Sequence, residues 1–389
     1  MKSILKKTPD NSIIYWVIFM SGIYIHIPFC KSKCPYCDFY SLCKSDELKE
    51  NYIDALIDEI KTNKRFKGIL NKNIFFADTL YLGGGTPSVL SGEDIFKIIT
   101  AIRENFNIKE NAEITVECNP NSDIEGLIPH LKKCGVNRVS LGMQSSVDIE
   151  RKKLGRSANK QRIFDIIRVL KENDITNISL DIMLGIPEQT IDTLKETLDF
   201  IKECDVKHIS AYILNIEENT PFFKMQNKLN LPDEDSVCEF YKFTSNYLKN
   251  IGFNHYEISN FAKNGFESRH NTKYWLLEDY LGLGPSAHSF LNNKRYYFKS
   301  DIIDFINGEP PVFDCDGGDC EEFIMLRLRL KQGLNLPELK EKYGENALDN
   351  IIKKAPYFKE QGLIEFEGDR LSLTEKGFLI SNHIISELI

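Results

Sequence analysis

From Gly22 to about Leu214, short β-rich runs alternate with longer amphipathic stretches. Residues 23–28, 79–82, 113–117, 138–141, 178–183 and 208–213 read as strands, being short, rich in apolar and β-branched residues and punctuated by turn formers. Between them, residues 48–66, 95–106, 124–134, 161–173 and 190–204 repeat apolar positions three and four apart, the spacing of one buried helix face. Ser91-Gly92-Glu93-Asp94 reads as a helix start with acidic residues at the positive end of the dipole. Six such β/α repeats predict an α/β fold with a parallel sheet and right-handed crossovers, rolled into a barrel or left doubly wound.

In folds of this kind, ligand chemistry gathers at the C-terminal ends of the strands. The unusual polar residues of this chain stand there. Cys30, Cys34 and Cys37 follow the first strand, and Gly83-Gly84-Gly85-Thr86-Pro87 follows the second. Glu117-Cys118-Asn119-Pro120 ends the third, Gly142-Met143-Gln144-Ser145 ends the fourth, and Asp181 lies near the end of the fifth.

The rest of the chain is less regular. Residues 215–310 carry aromatic and glycine-rich runs, including HYEISNFA, RHNTKYW and LGLGPSAHSF. Pro310-Pro311 and the acidic DCDGGDC at 314–320 read as a linker. Beyond them, residues 321–330, 336–343 and 348–361 read as helices, 363–366 and 370–373 as a hairpin around Glu367-Gly368-Asp369, and a final helix follows. Three helices and a hairpin predict a winged-helix-like α+β module. Residues 312–389 hold 15 acidic and 10 basic side chains, a net of −5, where a DNA reader needs a basic face. Docking or a structural role is expected there, and nucleic acid is not.

The whole chain carries a formal charge of −8 over 389 residues, with 42% hydrophobic and 27% charged content, as in ordinary globular proteins. No stretch approaches the roughly 20 apolar residues of a membrane span. The apolar run 13–20 lies behind Lys6 and Lys7 without a small-residue cleavage site, so residues 1–20 are expected to be an extension outside the native fold or a loosely attached arm. Seven of the ten cysteines are scattered, which fits a reducing cytoplasm better than a disulfide scaffold.

Cys30, Cys34 and Cys37 form C-x3-C-x2-C on a polar loop. Structural zinc asks for four protein ligands; His26 is near in sequence but on the strand, and no second ligand pair follows. Three unrelated thiols suit so polar a loop poorly. An iron–sulfur cube fits best, with its fourth iron left open.

YIHIPFC-x3-C-x2-C followed by GGGTP resembles the radical SAM superfamily, and within it the oxygen-independent coproporphyrinogen oxidase group. CPYCDFYS, HNTKYW and the C-terminal module resemble the heme chaperone HemW branch. The resemblance runs from about Gly22 to the C-terminus. It implies a radical SAM partial (β/α)6 barrel over 21–250, a heme-associated connecting region over 251–311, and a HemN-like C-terminal module over 312–389. It implies a [4Fe-4S] cluster on Cys30, Cys34 and Cys37, with S-adenosylmethionine (SAM) on the open iron and Tyr24, Gly84 and Glu117 lining its site. Tyr36, Gly85, Thr86, Gln144, Arg156 and Asp181 are further implied SAM contacts, drawn from a second SAM site in the oxidase. Taken alone, the glycines could be only a tight turn, and Arg156 a surface ion pair worth under about 1 kcal/mol. Asp181 among apolar neighbours would be costly to bury without a partner.

The oxidase pattern places another cysteine two residues after the third. Here Asp38-Phe39 follows Cys37, and Cys43 is out of register, so coproporphyrinogen oxidation is not expected. The branch implies heme as a third cofactor, with heme-acceptor proteins as partners and a transient membrane-protein partner admitted among them. Of seven histidines, His270 in RHNTKYW is the first choice of ligand: Tyr274 and Trp275 could flank a porphyrin and Arg269 meet a propionate. The alternative is a helix start packed on the barrel, with His270 a buried hydrogen-bond partner; His255 and His288 read as structural. Three functions are carried forward: a heme chaperone, a radical SAM oxidoreductase acting on a porphyrin or other small substrate, and a regulatory partner- or DNA-binding protein.

Overall fold

The computed structural model describes residues 3–7, 13–17, 20–43, 46–70 and 75–389. Ser3–Lys7 and Ile13–Val17 pair as antiparallel strands; the expected extension over 1–20 otherwise falls mostly outside the described residues. Six strands follow in sequence order, each parallel to the next: β1 (Met20–Ile27), β2 (Phe76–Gly84), β3 (Asn107–Cys118), β4 (Arg138–Gln144), β5 (Asn177–Leu184) and β6 (His208–Ile213). They are joined by helices that include α1 (Asp46–Thr62), α2 (Gly92–Asn105), α3 (Ile124–Lys133), α4 (Asp148–Lys153), α5 (Lys160–Glu172) and α6 (Ile191–Cys204). Ser91 caps α2 by accepting from the Asp94 amide, as its sequence predicts. Six successive parallel strands with helical crossovers are the partial (β/α)6 barrel expected from the sequence.

The strands alternate in a way that decides the interior. Ile23, Ile25 and Ile27, Leu80 and Leu82, Ile114 and Val116, and Ile178, Leu180 and Ile182 are buried in the apolar core. The intervening residues are polar: Tyr24 pairs across to Tyr81, Thr79 to Glu113, Glu117 to Ser140, Ser179 to His208 and Asp181 to Ser210. Successive side chains of a strand point to opposite faces, so each strand gives one face to packing and the other to a polar lumen.

The stretch that resists sequence reading extends this sheet at both edges. β7 (Asn254–Glu257) and β8 (Asn260–Ala262) continue it beyond β6, with β8 antiparallel to β6. β9 (Tyr280–Leu283) lies parallel to β1, followed outward by β10 (His288–Leu291), β11 (Lys294–Tyr297) and β12 (Val312–Asp316). β12 corrects the linker expectation. Its acidic residues suit an exposed edge strand, where charge discourages further pairing, and β11 supplies its partner.

After α7 (Pro221–Met225) and α8 (Glu234–Asn250), RHNTKYW forms α9 (Arg269–Trp275) beneath the barrel. The Glu113 carboxylate accepts the Arg269 and His270 amides at 3.1 and 3.0 Å, capping the helix start. Arg269 and Lys273 pair with Asp78 near the start of β2, and Lys273 also reaches the Met20 carbonyl. The helix thus closes the end opposite the cysteines. Glu113 also faces the buried Arg138 guanidinium. Glu113→Ala is therefore expected to cost about 3 kcal/mol, since it uncaps a buried helix and strands a buried charge; urea unfolding measures this, and a loss under about 1 kcal/mol would refute the plug.

The C-terminal module holds α10 (Cys320–Arg327), α11 (Leu336–Tyr343) and α12 (Glu345–Glu360), then a hairpin of Ile364–Glu367 and Arg370–Leu373. The final helix of the sequence reading is two, Glu375–Leu379 and Ser381–Leu388. The module joins the sheet edge through Ile258 N to Arg329 O and Lys331 N to Tyr256 O, both 2.9 Å. No helix among the described residues is long and apolar enough to cross a membrane.

Candidate cofactor site at the barrel mouth

The loop after β1 is clasped at its base. Cys30 N donates to Leu42 O at 3.0 Å and Leu42 N to Pro28 O at 2.8 Å, with Phe29 buried beneath. Within it, Cys37 N donates to Cys34 O. All three thiols are free and partly exposed. Burial raises the Cys37 thiol, and neighbouring Cys34 and Cys30 raise it further. Among the described residues, no group of three or more His, Cys, Asp and Glu is gathered closely enough for a single metal ion. A cubane makes a different demand, because each thiolate takes its own iron. Three free thiols on one short loop fit that demand better than they fit zinc.

The GGGTP turn lies against this loop. Gly85 N donates to Ile27 O at 2.8 Å, and a Cβ on Gly85 would come within 2.7 Å of Phe29 O. Gly84 has φ +108, and a Cβ there would meet the His26 ring at 2.7 Å. Only glycine satisfies both the angle and the space. Thr86 places its hydroxyl 3.4 Å from the Cys30 sulfur.

His26 ties three parts of the mouth together. Its Nε2 lies 2.9 Å from Tyr40 O, beyond the cysteines, and its Nδ1 lies 3.1 Å from the Tyr24 hydroxyl. A carbonyl only accepts, so Nε2 carries the proton, and Nδ1 accepts from Tyr24. Burial lowers the His26 pKa to about 4, which keeps the ring neutral. With its proton committed to His26, Tyr24 can present only lone pairs to a ligand.

Two carboxylates stand in the mouth. Burial pushes Glu117 up to about 7; Tyr81, donating to its Oε1 at 2.7 Å, opposes this, and Asp181 adds to it. Burial also raises Asp181, which accepts from the Ser140 hydroxyl at 3.0 Å. Arg156 donates to the Tyr36 hydroxyl at 2.8 Å, while its buried Nε has no partner. It is therefore a half-buried group that faces Tyr36 rather than half of a surface ion pair. Gln144 adopts φ +69, and a Cβ on Gly142 would lie 3.1 Å from Gln144 Nε2 and 3.8 Å from Arg156 Nη2. Acidic groups, an arginine with a free donor and a glycine-lined wall together suit a ligand with a cationic amine, hydroxyls and a carboxylate.

A radical SAM superfamily model matches residues 24–201, and a HemN C-terminal domain model matches residues 319–380. A heme chaperone HemW of Lactococcus lactis is 32% identical over 95% of this chain and 97% of its own length. The Bacillus subtilis heme chaperone HemW is also 32% identical, over 95% of this chain and 99% of its own length. The chain belongs to the heme chaperone HemW family. Escherichia coli HemN, a coproporphyrinogen III oxidase described as a radical SAM enzyme, superposes with a TM-score of 0.81 over 95% of this chain and 90% of its own, at 21% identity; that likeness is one of fold. Radical SAM membership implies a [4Fe-4S] cluster and SAM.

One of the expected site residues lies elsewhere in this HemW-family chain. His270 is 1% exposed beneath the mouth, with Nδ1 bonded to Thr79 Oγ1 and Nε2 to the Tyr274 hydroxyl, both at 2.8 Å. Arg269 is engaged by Asp78, Tyr274 by His270, and Trp275 packs under Arg329. The residues expected to flank a porphyrin instead hold a helix to the barrel, which is the buried-partner alternative. His255 stacks on Phe261 at 4.2 Å, and His288 stacks on Tyr297 with its ring exposed. Sequence reading passed over Tyr81, Arg138 and His208, and weighed His26 only as a metal ligand. Their signal was polarity at every second position of otherwise apolar strands.

Proposed function

We propose that this chain binds heme and passes it to acceptor proteins, and that Cys30, Cys34 and Cys37 hold a [4Fe-4S] cluster beside SAM in the barrel mouth. The observation that carries the heme reading is 32% identity, over nearly the full length, with proteins named heme chaperones. When bound, the cluster supplies an open iron and a one-electron couple next to SAM.

The chain's own residues have separable tasks. Gly84 and Gly85 let the turn pack against His26 and the cysteine loop, so that its backbone lines the ligand's side of the mouth, and Thr86 sets its hydroxyl beside Cys30. Tyr24 accepts from the SAM ammonium, Glu117 pairs with that ammonium or with ribose hydroxyls, and Arg156 and Gln144 offer donors beside Tyr36. Asp181 offers a second acceptor for hydroxyls.

Heme is assigned to the rim of the mouth. Phe39, directly after the cysteines, is 70% exposed, and Tyr212 and Ile213 at the end of β6 are also exposed. Phe223 and Met225 are exposed on α7 of the pre-module region, Pro221–Met225, where Phe222 N donates to Pro35 O. A flat apolar macrocycle can cover such side chains without rearrangement. Ligation by His270 would require one ring nitrogen to give up its hydrogen bond, to Thr79 or to Tyr274, and iron to reach a ring that is almost fully buried.

The test is anaerobic reconstitution with iron and sulfide, followed by SAM and heme titrations on one sample. Saturable heme binding is expected as a Soret band, with transfer to an apo-acceptor. His270→Ala is expected to keep that band, and its loss in a folded, cluster-containing variant would place the iron on His270. Absence of heme binding, with 5′-deoxyadenosine rising in step with a modified substrate, would replace the chaperone reading with the oxidoreductase.

A further inference from the structure

The HNTKYW helix and the tyrosine above it take no part in the assignments just made, yet they reach the mouth from below. Tyr81 donates to Glu117 Oε1 at 2.7 Å. Gly83 leaves room for that contact, since a Cβ there would lie 2.8 Å from the Tyr81 ring and 3.0 Å from Glu117 Oε1. His270 stacks on Tyr81 with ring centroids 5.2 Å apart and planes at 27°. Tyr24 completes the group at 6.2 Å from Tyr81 and 6.4 Å from His270. Gly22 makes space for the histidine, because a Cβ there would meet His270 Cε1 at 3.0 Å.

His270 in turn cannot drift. Thr79 and Tyr274 hold its two nitrogens, and Tyr274 packs edge-on against Tyr280 at 4.6 Å. From the Glu113-capped helix upward, every member has one place to go.

We propose that Tyr81 and His270 are positioning residues for SAM: the HNTKYW helix forms the floor of the site, and through the His270–Tyr81 stack it fixes the Glu117 carboxylate that meets the SAM ammonium. The proposal rests on the reading of the mouth as a SAM site. Neither side chain touches the ligand; both act through Glu117. A donor to a carboxylate stabilises its ionised form. The other charged or titratable groups facing Glu117 are Tyr24 from β1, Arg138 from β4, Asp181 from β5, Tyr212 from β6 and Tyr274 from α9. All of them stay in place when only the Tyr81 hydroxyl is removed.

The experiment is calorimetric titration of SAM into reconstituted protein across pH, for the parent, Tyr81→Phe and His270→Gln, each with measured iron and sulfide. Tyr81→Phe keeps the ring and its stack and removes one donor. It is expected to weaken SAM binding about 10-fold near neutral pH and to move the pH at which binding is lost upward. His270→Gln, which can still bond within the floor, is expected to weaken binding less while leaving the cluster intact. A Tyr81→Phe protein with full cluster, parental SAM affinity and an unshifted pH profile would overturn the proposal. A parent with full cluster that binds no SAM would instead overturn the reading of the mouth.

Discussion

Cys34→Ala is expected to abolish the cluster while leaving the fold intact. Reconstituted parent should carry about four irons per chain and the variant fewer than about one. With three protein thiolates, the cube already has one iron without a protein ligand, so the loss of another leaves it held by two. The thiol is partly exposed on a loop clasped by backbone bonds at Cys30 and Leu42, so stability should change by no more than about 0.5 kcal/mol. Cys43 is exposed and outside the spacing, and Cys43→Ala should reconstitute like the parent. Full iron and sulfide in Cys34→Ala would remove the assignment.

Glu117→Gln carries the second large effect, and it acts in two directions. A buried ammonium that loses its counter-charge costs several kcal/mol, so SAM affinity should fall at least about 100-fold. In the ligand-free protein the same change should be stabilising. Burial raises the Glu117 pKa from 4.5 to about 7, so the folded state binds this proton more tightly than the unfolded chain does. The carboxyl therefore lowers stability as pH rises from about 4.5 through 7, by on the order of 3 kcal/mol above that window. Gln removes the penalty while keeping an acceptor for Tyr81. For the parent, SAM affinity should be highest above about pH 7 and fall as Glu117 protonates below it. Thermal unfolding and SAM titration of one preparation check both signs. A variant that is less stable and binds weakly would show damage to the fold rather than loss of a ligand contact.

The six barrel strands and the helices between them follow from hydrophobic spacing because each buries an apolar face, and the C-terminal helices and hairpin for the same reason. β7 to β12 were not legible. Asn254–Glu257 and Val312–Asp316 are short, and their faces are set by neighbours distant in sequence. Acidic edge residues in particular look the same in a linker and in a strand whose outer side meets water. At the site, loop and turn residues stood out by composition: three cysteines, three glycines, and a glutamate closing a strand. Tyr81 and His26 did not, because a tyrosine or histidine in a β-run is ordinary until the opposite faces of six strands are compared. His270 was drawn toward heme by its aromatic neighbours, and those same neighbours bury it. Aromatic composition around a histidine cannot distinguish a porphyrin pocket from a packed helix end. Burial and the occupancy of both ring nitrogens can.

The central claim is that the three cysteines leave an iron open to SAM beside Tyr24, Gly84 and Glu117. Electron–nuclear double resonance of the reduced cluster, with SAM labelled at its amine nitrogen and carboxylate oxygen, tests it most directly. The account predicts hyperfine coupling from both labels to the cluster, lost in Cys34→Ala and weakened in Glu117→Gln. A reduced, fully loaded cluster in the parent that shows no coupling to labelled SAM would contradict it.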